Sequence, residues 1–384
     1  MATLPMMEPS LLSPRSPIRS PRISESGRPR DFSFILRPDI YHSLNAVAIP
    51  APFKNSSKQP RPDLSVAELF STGHFRAAAT AAAAELTSGT LDATNHRRIF
   101  DLLYTRLASL LLIDAAPIAA QEVKALEDLA TGPVYVDEAT GDHVVPWDLR
   151  VLAVKLQALG FGDLRRAVMS YYDLAREARA NVAMARNDQD KHLWALRLRE
   201  LGVRVAWTLV DLDDMPAAIA HLQTLPATAG DARATLAEAL LWLHLGDAEA
   251  ARASVSSLQG DGGERSEGGM VQALADMADG DFESALTKFT ALAALNPDDK
   301  PSEIVQVNRA VCLLYTGHMD EASQVLEYLV DHGFASRTLL LNLSTIYELC
   351  TDKNRGLKTS LAARVAAREP SEEGWEYANV DFKL

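Results

Sequence analysis

Two stretches of the sequence carry residue types that could bind a ligand or an ion. The run GDGGERSEGG (residues 260–269) suggests a phosphate-binding loop, but it lacks the Lys-Ser/Thr ending and its acidic residues would repel phosphate. The run DLDDM (residues 211–215) suggests a calcium loop, but the later glycine and the bidentate glutamate of such a loop are missing. We therefore predict a loop between helices for the first run and a helix-terminating turn for the second.

The histidines, cysteines and serines form no catalytic or metal-binding pattern. The nine histidines are scattered, without a pair at the i, i+4 spacing of a zinc-binding helix. No serine lies in a G-x-S-x-G elbow. Cys312 and Cys350 each lie in an apolar helical pattern, which is typical of buried, reduced thiols. We expect no catalytic residue, no metal and no cofactor.

Charge is distributed unevenly along the chain. Residues 1–62 carry nine Lys/Arg and four Asp/Glu, whereas the remainder carries 29 basic and 47 acidic residues, a net charge of −18. Because an acidic body repels phosphates, we expect no nucleic-acid partner. The longest apolar run, LASLLLIDAAPIAA, is interrupted by Asp114 and Pro117 and is shorter than the roughly 20 residues of a membrane helix. With no signal-peptide pattern at its start, we expect a cytoplasmic chain that reaches membranes only through partners.

The composition of residues 1–62 predicts a disordered, basic tail. This segment holds eleven of the 19 prolines and shows no sustained hydrophobic period. Three serines precede proline near arginine, as in proline-directed phosphorylation sites, although a solvated leader without a role is the alternative: Ser13, Ser16 and Ser20. The more apolar stretch FSFILRPDIYHSL (residues 32–44) could dock on the body or on a partner.

A turn pattern recurs through the rest of the chain: glycine or aspartate, with alanine five residues later. Successive starts at Asp213, Gly246, Gly280 and Gly317 are 33, 34 and 37 residues apart, which is close to the period of a tetratricopeptide repeat, a pair of helices. The glycine ends the first helix in a left-handed conformation, and small residues lie where the two helices pack most closely. The structural repeat positions that we predict are Gly162, Ala167, Gly246, Ala251, Ala273, Gly280, Ala285, Ala310, Gly317 and Ala322.

The sequence thus predicts an all-α, tetratricopeptide-like helical-repeat solenoid with a disordered N-terminal tail. After the tail we place an N-terminal helical region (63–132), a loop or short hairpin (133–147), and a repeat array with a C-terminal cap (148–384). The 89 residues between the turns at Gly73 and Gly162 are predicted to add one further helix, around residues 97–113. The 51 residues between Gly162 and Asp213 predict an insertion or a longer pair of helices.

Two groups of residues are candidates for contact with a partner. The first lies on a locally basic helix in the 51-residue gap, where a solvated face is the alternative: Trp194, Arg197, Arg199 and Arg204. The second is Asn308 and Asn342, which are 34 residues apart and so occupy equivalent places on the first helices of two pairs. Such helices line the concave groove of repeat arrays, where asparagines could hold a ligand peptide. A hydrogen bond between repeats is the alternative.

Several stretches resemble the subunit 12 family of the trafficking protein particle (TRAPP) complex. They are NRAVCLLYTGHMDEASQVLEYLV (308–330), LLLNLSTIYEL (339–349), VVPWDLRVLAVKLQ (144–157), WALRL (194–198) and GHFRAA (73–78). The resemblance covers roughly residues 64–369 and is most specific over residues 300–350. It implies an accessory, non-catalytic subunit of a TRAPPIII-type complex, which is a nucleotide-exchange factor for a Rab GTPase in endoplasmic reticulum-to-Golgi transport and autophagy.

The same resemblance implies partners and a location. The neighbours would be the large subunits 8 and 11 and subunit 13, with the Rab GTPase reached only through the core of the complex. The chain would associate peripherally with endoplasmic reticulum–Golgi membranes. The alternative function is a peptide-binding adaptor of the co-chaperone type, which grips a terminal carboxylate with Lys/Arg beside Asn. Val307 and Leu341 precede the two asparagines, which argues against this alternative.

Overall fold

The structure is a computed structural model that describes residues 30–126, 129, 134–136, 143–225, 232–256, 263–295 and 301–384, with only the backbone given for 263–266. These residues contain seventeen α-helices and four short 3₁₀ turns, and no β-strand occurs among them. Their one β feature is an antiparallel bridge between Val136 and His143, inside the segment for which a loop or short hairpin is predicted. The predicted all-α repeat fold is confirmed.

The described residues divide into two compact units. The first contains the described residues up to Asp163 together with Ala362–Val380. Its helices are α1 (Ala51–Lys54), α2 (Val66–Ser71), α3 (Phe75–Leu86), α4 (His96–Leu112), α5 (Ala116–Val123) and α6 (Trp147–Phe161). Helix α3 packs against α4, and α5 packs against α6, around a shared apolar core.

The second unit contains Leu164–Leu361 and Asp381–Leu384. Its helices are α7 (Leu164–Met184), α8 (Asp188–Asp211), α9 (Met215–Gln223), α10 (Ala232–His244), α11 (Ala248–Val255), α12 (Gly263–Ala278), α13 (Phe282–Ala293), α14 (Glu303–Tyr315), α15 (Met319–Asp331), α16 (Arg337–Cys350) and the start of α17 (Asn354–Ala367). Helices that follow one another pack together in pairs, among them α10–α11, α12–α13 and α14–α15, as the sequence period predicts.

The turn inside three of the pairs, α10–α11, α12–α13 and α14–α15, has a glycine in the left-handed backbone region. The φ angle is +84° at Gly246, +82° at Gly280 and +88° at Gly317. At Gly317 the following N–H, that of His318, donates to the carbonyl of Leu313 over 2.8 Å, which is the hydrogen bond of a Schellman motif. Glycine is favoured there because a side chain in this conformation costs roughly 1–2 kcal/mol.

Small and large side chains alternate inside the pairs. The six alanines named as repeat positions are buried: Ala167, Ala251, Ala273, Ala285, Ala310 and Ala322. Four residues after the alanine that follows each turn, a large side chain is buried as well: Tyr171, Leu222, Val255, Phe289 and Leu326. A methyl group where two helices approach most closely, and a bulky group where they diverge, together fill the space between them.

The structure shows one repeat turn that the sequence analysis missed. Asp114, between α4 and α5, has a φ of +59°, and the N–H of Ala115 donates to the carbonyl of Leu110 over 2.8 Å. Ala119, five residues later, is buried. The predicted single helix around residues 97–113 is therefore the first member of a pair. Aspartate replaces glycine in this turn, as it does at Asp213, whose φ is +61°.

The glycine-rich run at residues 260–269, predicted as a loop, is largely helical. Helix α12 begins at Gly263, whereas residues 260–262 lie outside the described residues. A Cβ added at Gly269 would lie 2.9 Å from a methyl carbon of Leu292 on α13. Glycine here permits close packing of two helices.

The prediction of a disordered tail is wrong for residues 30–62. Phe32 and Ile35 are buried in the core of the first unit, and the ring of Phe32 meets that of Phe100 edge-on at 5.1 Å between centroids. Phe53 is buried against Trp375, with 5.5 Å between ring centroids. These isolated aromatic residues show no period of their own, and they gain burial only from surfaces distant in sequence. Residues 1–29, including the three Ser-Pro sites, lie outside the described residues.

A buried ion pair ties this segment to the helices. Arg106 of α4 donates to both carboxylate oxygens of Glu122 of α5, over 2.6 and 3.0 Å, and both side chains are almost fully buried. The same guanidinium donates to the carbonyls of His42 and Ala79, over 2.7 and 3.0 Å. Glu122 also accepts from the N–H of His42 over 2.9 Å. These bonds offset the cost of removing two charges from water.

Replacing Glu122 with glutamine should destabilise the chain strongly. The substitution leaves the Arg106 charge buried without its counter-charge, which typically costs about 3–5 kcal/mol. Urea denaturation followed by circular dichroism measures this loss. The matched control is Glu372→Gln at an exposed position, which should change stability by less than about 0.5 kcal/mol. Equal midpoints for the two variants would show that the buried pair does not hold the N-terminal segment.

Enlarging the buried alanines should force the helix pairs apart. Ala285→Leu and Ala322→Leu should each cost roughly 1–3 kcal/mol through overpacking. The control is Ala291→Leu, which places the same side chain on an exposed position of α13 and should be nearly neutral. Thermal melts of the three variants test the packing, and similar melting temperatures in all three would argue against it.

Candidate protein-interaction surface

Helices α7 and α8 form a longer pair than the helices that follow. They contain 21 and 24 residues, whereas α9–α17 contain between 8 and 16. The side chain of Asn187 caps the start of α8 by accepting from the N–H of Asp190 over 2.6 Å. The 51-residue gap in the repeat spacing thus holds extended helices.

The α7–α8 pair has a buried part and an exposed part. Nine residues of α8 from Arg199 onward are buried, and they pack near α9 and α10. By contrast, none of residues 179–198 is buried. We call residues 179–198 the distal hairpin. It contains the end of α7, the connecting turn and the first eleven residues of α8.

Trp194 and Arg197 lie together on the distal hairpin. Both are half-buried, and the guanidinium carbon of Arg197 lies 4.6 Å from the centre of the Trp194 ring. They are three residues apart, so they share one face of α8. The cation–π contact restricts both side chains while part of each still faces solvent. Aromatic and arginine side chains of this kind are common at the centres of protein interfaces.

Arg199 and Arg204 are not on a partner-facing surface, and the prediction is corrected for them. The buried Arg199 donates to Thr235 over 3.0 Å and pairs with Glu238, both on α10. Arg204 donates to the carboxylate of Glu200 over 2.6 Å, and its side chain is largely buried. Arg199 thus connects α8 with α10, whereas the Arg204–Glu200 pair lies within α8, and both arginines are covered because the second half of α8 packs near its neighbours.

Asn308 and Asn342 differ in their surroundings. The buried side chain of Asn308 donates to the carbonyl of Ile304, one turn earlier in its own helix, over 2.8 Å. Asn342 occupies the equivalent place on α16 and is half-buried. The predicted ladder for a ligand peptide is therefore absent at Asn308. Its side-chain amide donates a hydrogen bond within its own helix. Neither the peptide-binding interpretation nor the inter-repeat hydrogen bond predicted this.

A group of charged side chains joins three consecutive helices. Asp276 of α12 accepts from Arg252 of α11 over 3.1 Å, and from Ser284 of α13 over 2.8 Å; it also pairs with Lys288. Burial raises the pKa of Asp276, but the hydrogen bonds from Lys288, Ser284 and Arg252 outweigh it and hold that pKa below its usual range. This carboxylate neutralises nearby cations and ties the helices together.

The part of the chain that the structure describes contains neither a metal-binding cluster nor a membrane-spanning helix. There, no three His, Cys, Asp or Glu side chains converge as a metal ion would require. No described helix is both long and apolar enough to cross a lipid bilayer.

Comparison with known proteins finds similarity over a limited segment. No family model matches the chain. Over 103 residues, 26% of this chain, the sequence is 30% identical to trafficking protein particle complex subunit 12 of Mus musculus and 29% identical to that of Homo sapiens. The matched segment spans only 12% and 14% of the length of these two curated relatives. The chain is thus similar to a part of them.

Solved structures of repeat proteins are also similar to this chain. A tetratricopeptide repeat protein from Parabacteroides merdae is 14% identical, with 69% of this chain and 90% of that chain covered and a TM-score of 0.40. The tetratricopeptide domain of P58(IPK) is 13% identical, with coverages of 83% and 94% and a TM-score of 0.22. Because both TM-scores are low, the fold assignment depends on the helix pairs and turns described above.

Replacing Asp276 with asparagine should lower stability in a pH-dependent way. At pH 7 the variant loses charge-assisted hydrogen bonds, at a cost of about 1–3 kcal/mol. The folded-state pKa of Asp276 lies below the unfolded value of about 3.9, so its contribution is complete above that value and is lost as the pH falls through the folded-state pKa. Urea denaturation at decreasing pH should therefore show the two proteins converging below about pH 4. The exposed control Asp352→Asn should show no such convergence, and a constant difference for Asp276→Asn would contradict the assignment.

Proposed function

We propose that this chain is a non-catalytic scaffold subunit of a TRAPP-type complex. The observation that carries the proposal is the 103-residue segment that is 29–30% identical to TRAPP subunit 12 of two mammals. The fold supports it, because stacked helix pairs act as binding surfaces whose residues are held in fixed register. The tightly packed alanines and left-handed turns described above are what make this register rigid.

The finer role follows from the family resemblance. The chain would belong to a TRAPPIII-type assembly that tethers vesicles and promotes nucleotide exchange on a Rab GTPase, in endoplasmic reticulum-to-Golgi transport and autophagy. Its neighbours would be the large subunits 8 and 11 and subunit 13. It would contact the GTPase only through the core subunits, and membranes only through the complex. Its own contribution would be to position those neighbours, without a chemical step.

The co-chaperone type of adaptor has less support. A carboxylate clamp needs an accessible asparagine beside a cation, whereas Asn308 is buried and bonded within its own helix. The residue that precedes it, Val307, is apolar and also buried. These observations favour the scaffold function over the adaptor.

Purification of the tagged full-length chain from its native cells tests the proposal. We expect TRAPP subunits, among them 8, 11 and 13, to co-purify in near-equal amounts with the chain, as measured by quantitative mass spectrometry. The tag alone is the control, and purification through tagged subunit 8 should recover this chain. Chaperones in place of TRAPP subunits would favour the adaptor. Absence of TRAPP subunits in both directions would overturn the proposed function.

A further inference from the structure

We propose that the distal hairpin (residues 179–198) is the docking site for an acidic, amphipathic segment of another protein. The inference rests on the proposed scaffold function, but it does not depend on which assembly the chain joins. It is carried by three observations on this hairpin: the absence of fully buried residues, its charge, and the kinds of side chain that stay exposed or partly exposed.

The distal hairpin extends the helix pair without enlarging the core. Twenty consecutive residues include none that is buried, although several are large and apolar: Val182, Met184, Leu193, Trp194, Leu196 and Leu198. Ordering the backbone costs roughly 1–2 kcal/mol per residue, which core residues recover by burial. Within the chain this segment recovers only part of that cost, because these side chains, apart from the exposed Met184, are half-buried. Met184, 69% exposed beside the turn, is a flexible side chain suited to fitting an incoming apolar surface.

The charge of the distal hairpin is opposite to that of the chain. It carries four Lys/Arg and two Asp/Glu, a net charge of +2, whereas the whole chain carries −13. Arg179, Arg186 and Lys191 are exposed. The two carboxylates, Asp188 and Asp190, lie in the first turn of α8, where the helix N-terminus stabilises negative charge. Acidic groups on a partner are therefore attracted to this hairpin, whereas the acidic remainder of the chain repels them.

The same features favour a protein over a lipid surface. Lipid-binding segments usually cluster four to eight Lys/Arg, whereas the four of this hairpin are spread over twenty residues and partly offset by two carboxylates. The paired Trp194 and Arg197 and the exposed Met184 match the composition of protein interfaces instead. Residues 188–198 rise about 16 Å along the helix axis, which suits a partner helix of about three turns. The apolar residues of the partner helix would cover the apolar side chains of the hairpin. The Asp/Glu residues of the partner helix would face the Lys/Arg of the hairpin.

Photo-crosslinking from the hairpin identifies the occupant directly. A photoreactive phenylalanine replaces Met184 in the full-length chain, expressed in its native cells. The control carries the same group at Tyr328 on α15, which is also exposed. We expect the Met184 position alone to label one partner peptide that contains several Asp/Glu and apolar residues. Labelling of lipid only, of this chain only, of a basic or uncharged peptide, or of nothing would overturn the proposal.

Charge reversal then tests whether the cations select that peptide. Arg186→Glu combined with Lys191→Glu should reduce recovery of the crosslinked partner roughly tenfold, because two attractions become repulsions. The control, Lys353→Glu combined with Arg355→Glu, makes the same change in net charge at exposed residues by α17 and should leave recovery unchanged. All four residues are exposed, so thermal melts should match the wild type. Acidic-to-lysine changes in the partner peptide should restore binding to the first variant. Equal recovery with both variants would overturn the proposal.

The outcomes separate this inference from the proposed function. If TRAPP subunits co-purify with the wild type and the hairpin variant alike, and no acidic peptide is labelled, the docking site is wrong and the scaffold function stands. If an acidic peptide is labelled but no TRAPP subunit co-purifies, the assembly is wrong and the docking site stands. Sedimentation with phosphatidylserine-rich vesicles that is lost only in Arg186→Glu/Lys191→Glu would assign the hairpin to membranes and overturn protein docking.

Discussion

Close approach of two helices at a methyl group is the constraint on which this structure depends. In α10–α11, α12–α13 and α14–α15, a glycine with a left-handed backbone reverses the chain, and an alanine five residues later is buried, as with Gly317 and Ala322. A larger side chain there would separate the helices and open space around the bulky groups beyond, such as Leu326, that they could no longer fill. The repeat period follows from this geometry, since each pair must present a similar face to the next.

Ion pairs and hydrogen bonds between side chains also connect the helices. Arg106 with Glu122, Arg199 with Glu238, and Asp276 with its cations each join segments that the apolar pattern alone leaves free to slide. The first of them is the most demanding, because two charges lie almost completely out of water. The cations bond to carbonyl and carboxylate oxygens at fixed positions, so these bonds select one register of helix packing.

Buried and exposed charged side chains have different roles in this chain. Two arginines of α8 have different environments. Arg199 is covered by α10, whereas Arg197 contacts the ring of Trp194 and stays partly exposed. The distal hairpin contains no fully buried residue and so adds little to the core. Arrays of stacked helix pairs commonly present surfaces of this kind for binding.

The sequence alone determined the helix pairs, their turns and the buried small residues, because these depend on backbone sterics and on spacing within about forty residues. Gly246, Gly280 and Gly317 are examples in which residue type and position are enough. Only the tertiary structure decided which polar residues are buried, such as Arg199 and Asn308, and that Phe32 and Phe53 are buried rather than in a tail. The reason is physical: a periodic pattern shows that a face is apolar, but burial of a single polar or aromatic side chain depends on surfaces brought together from distant parts of the chain.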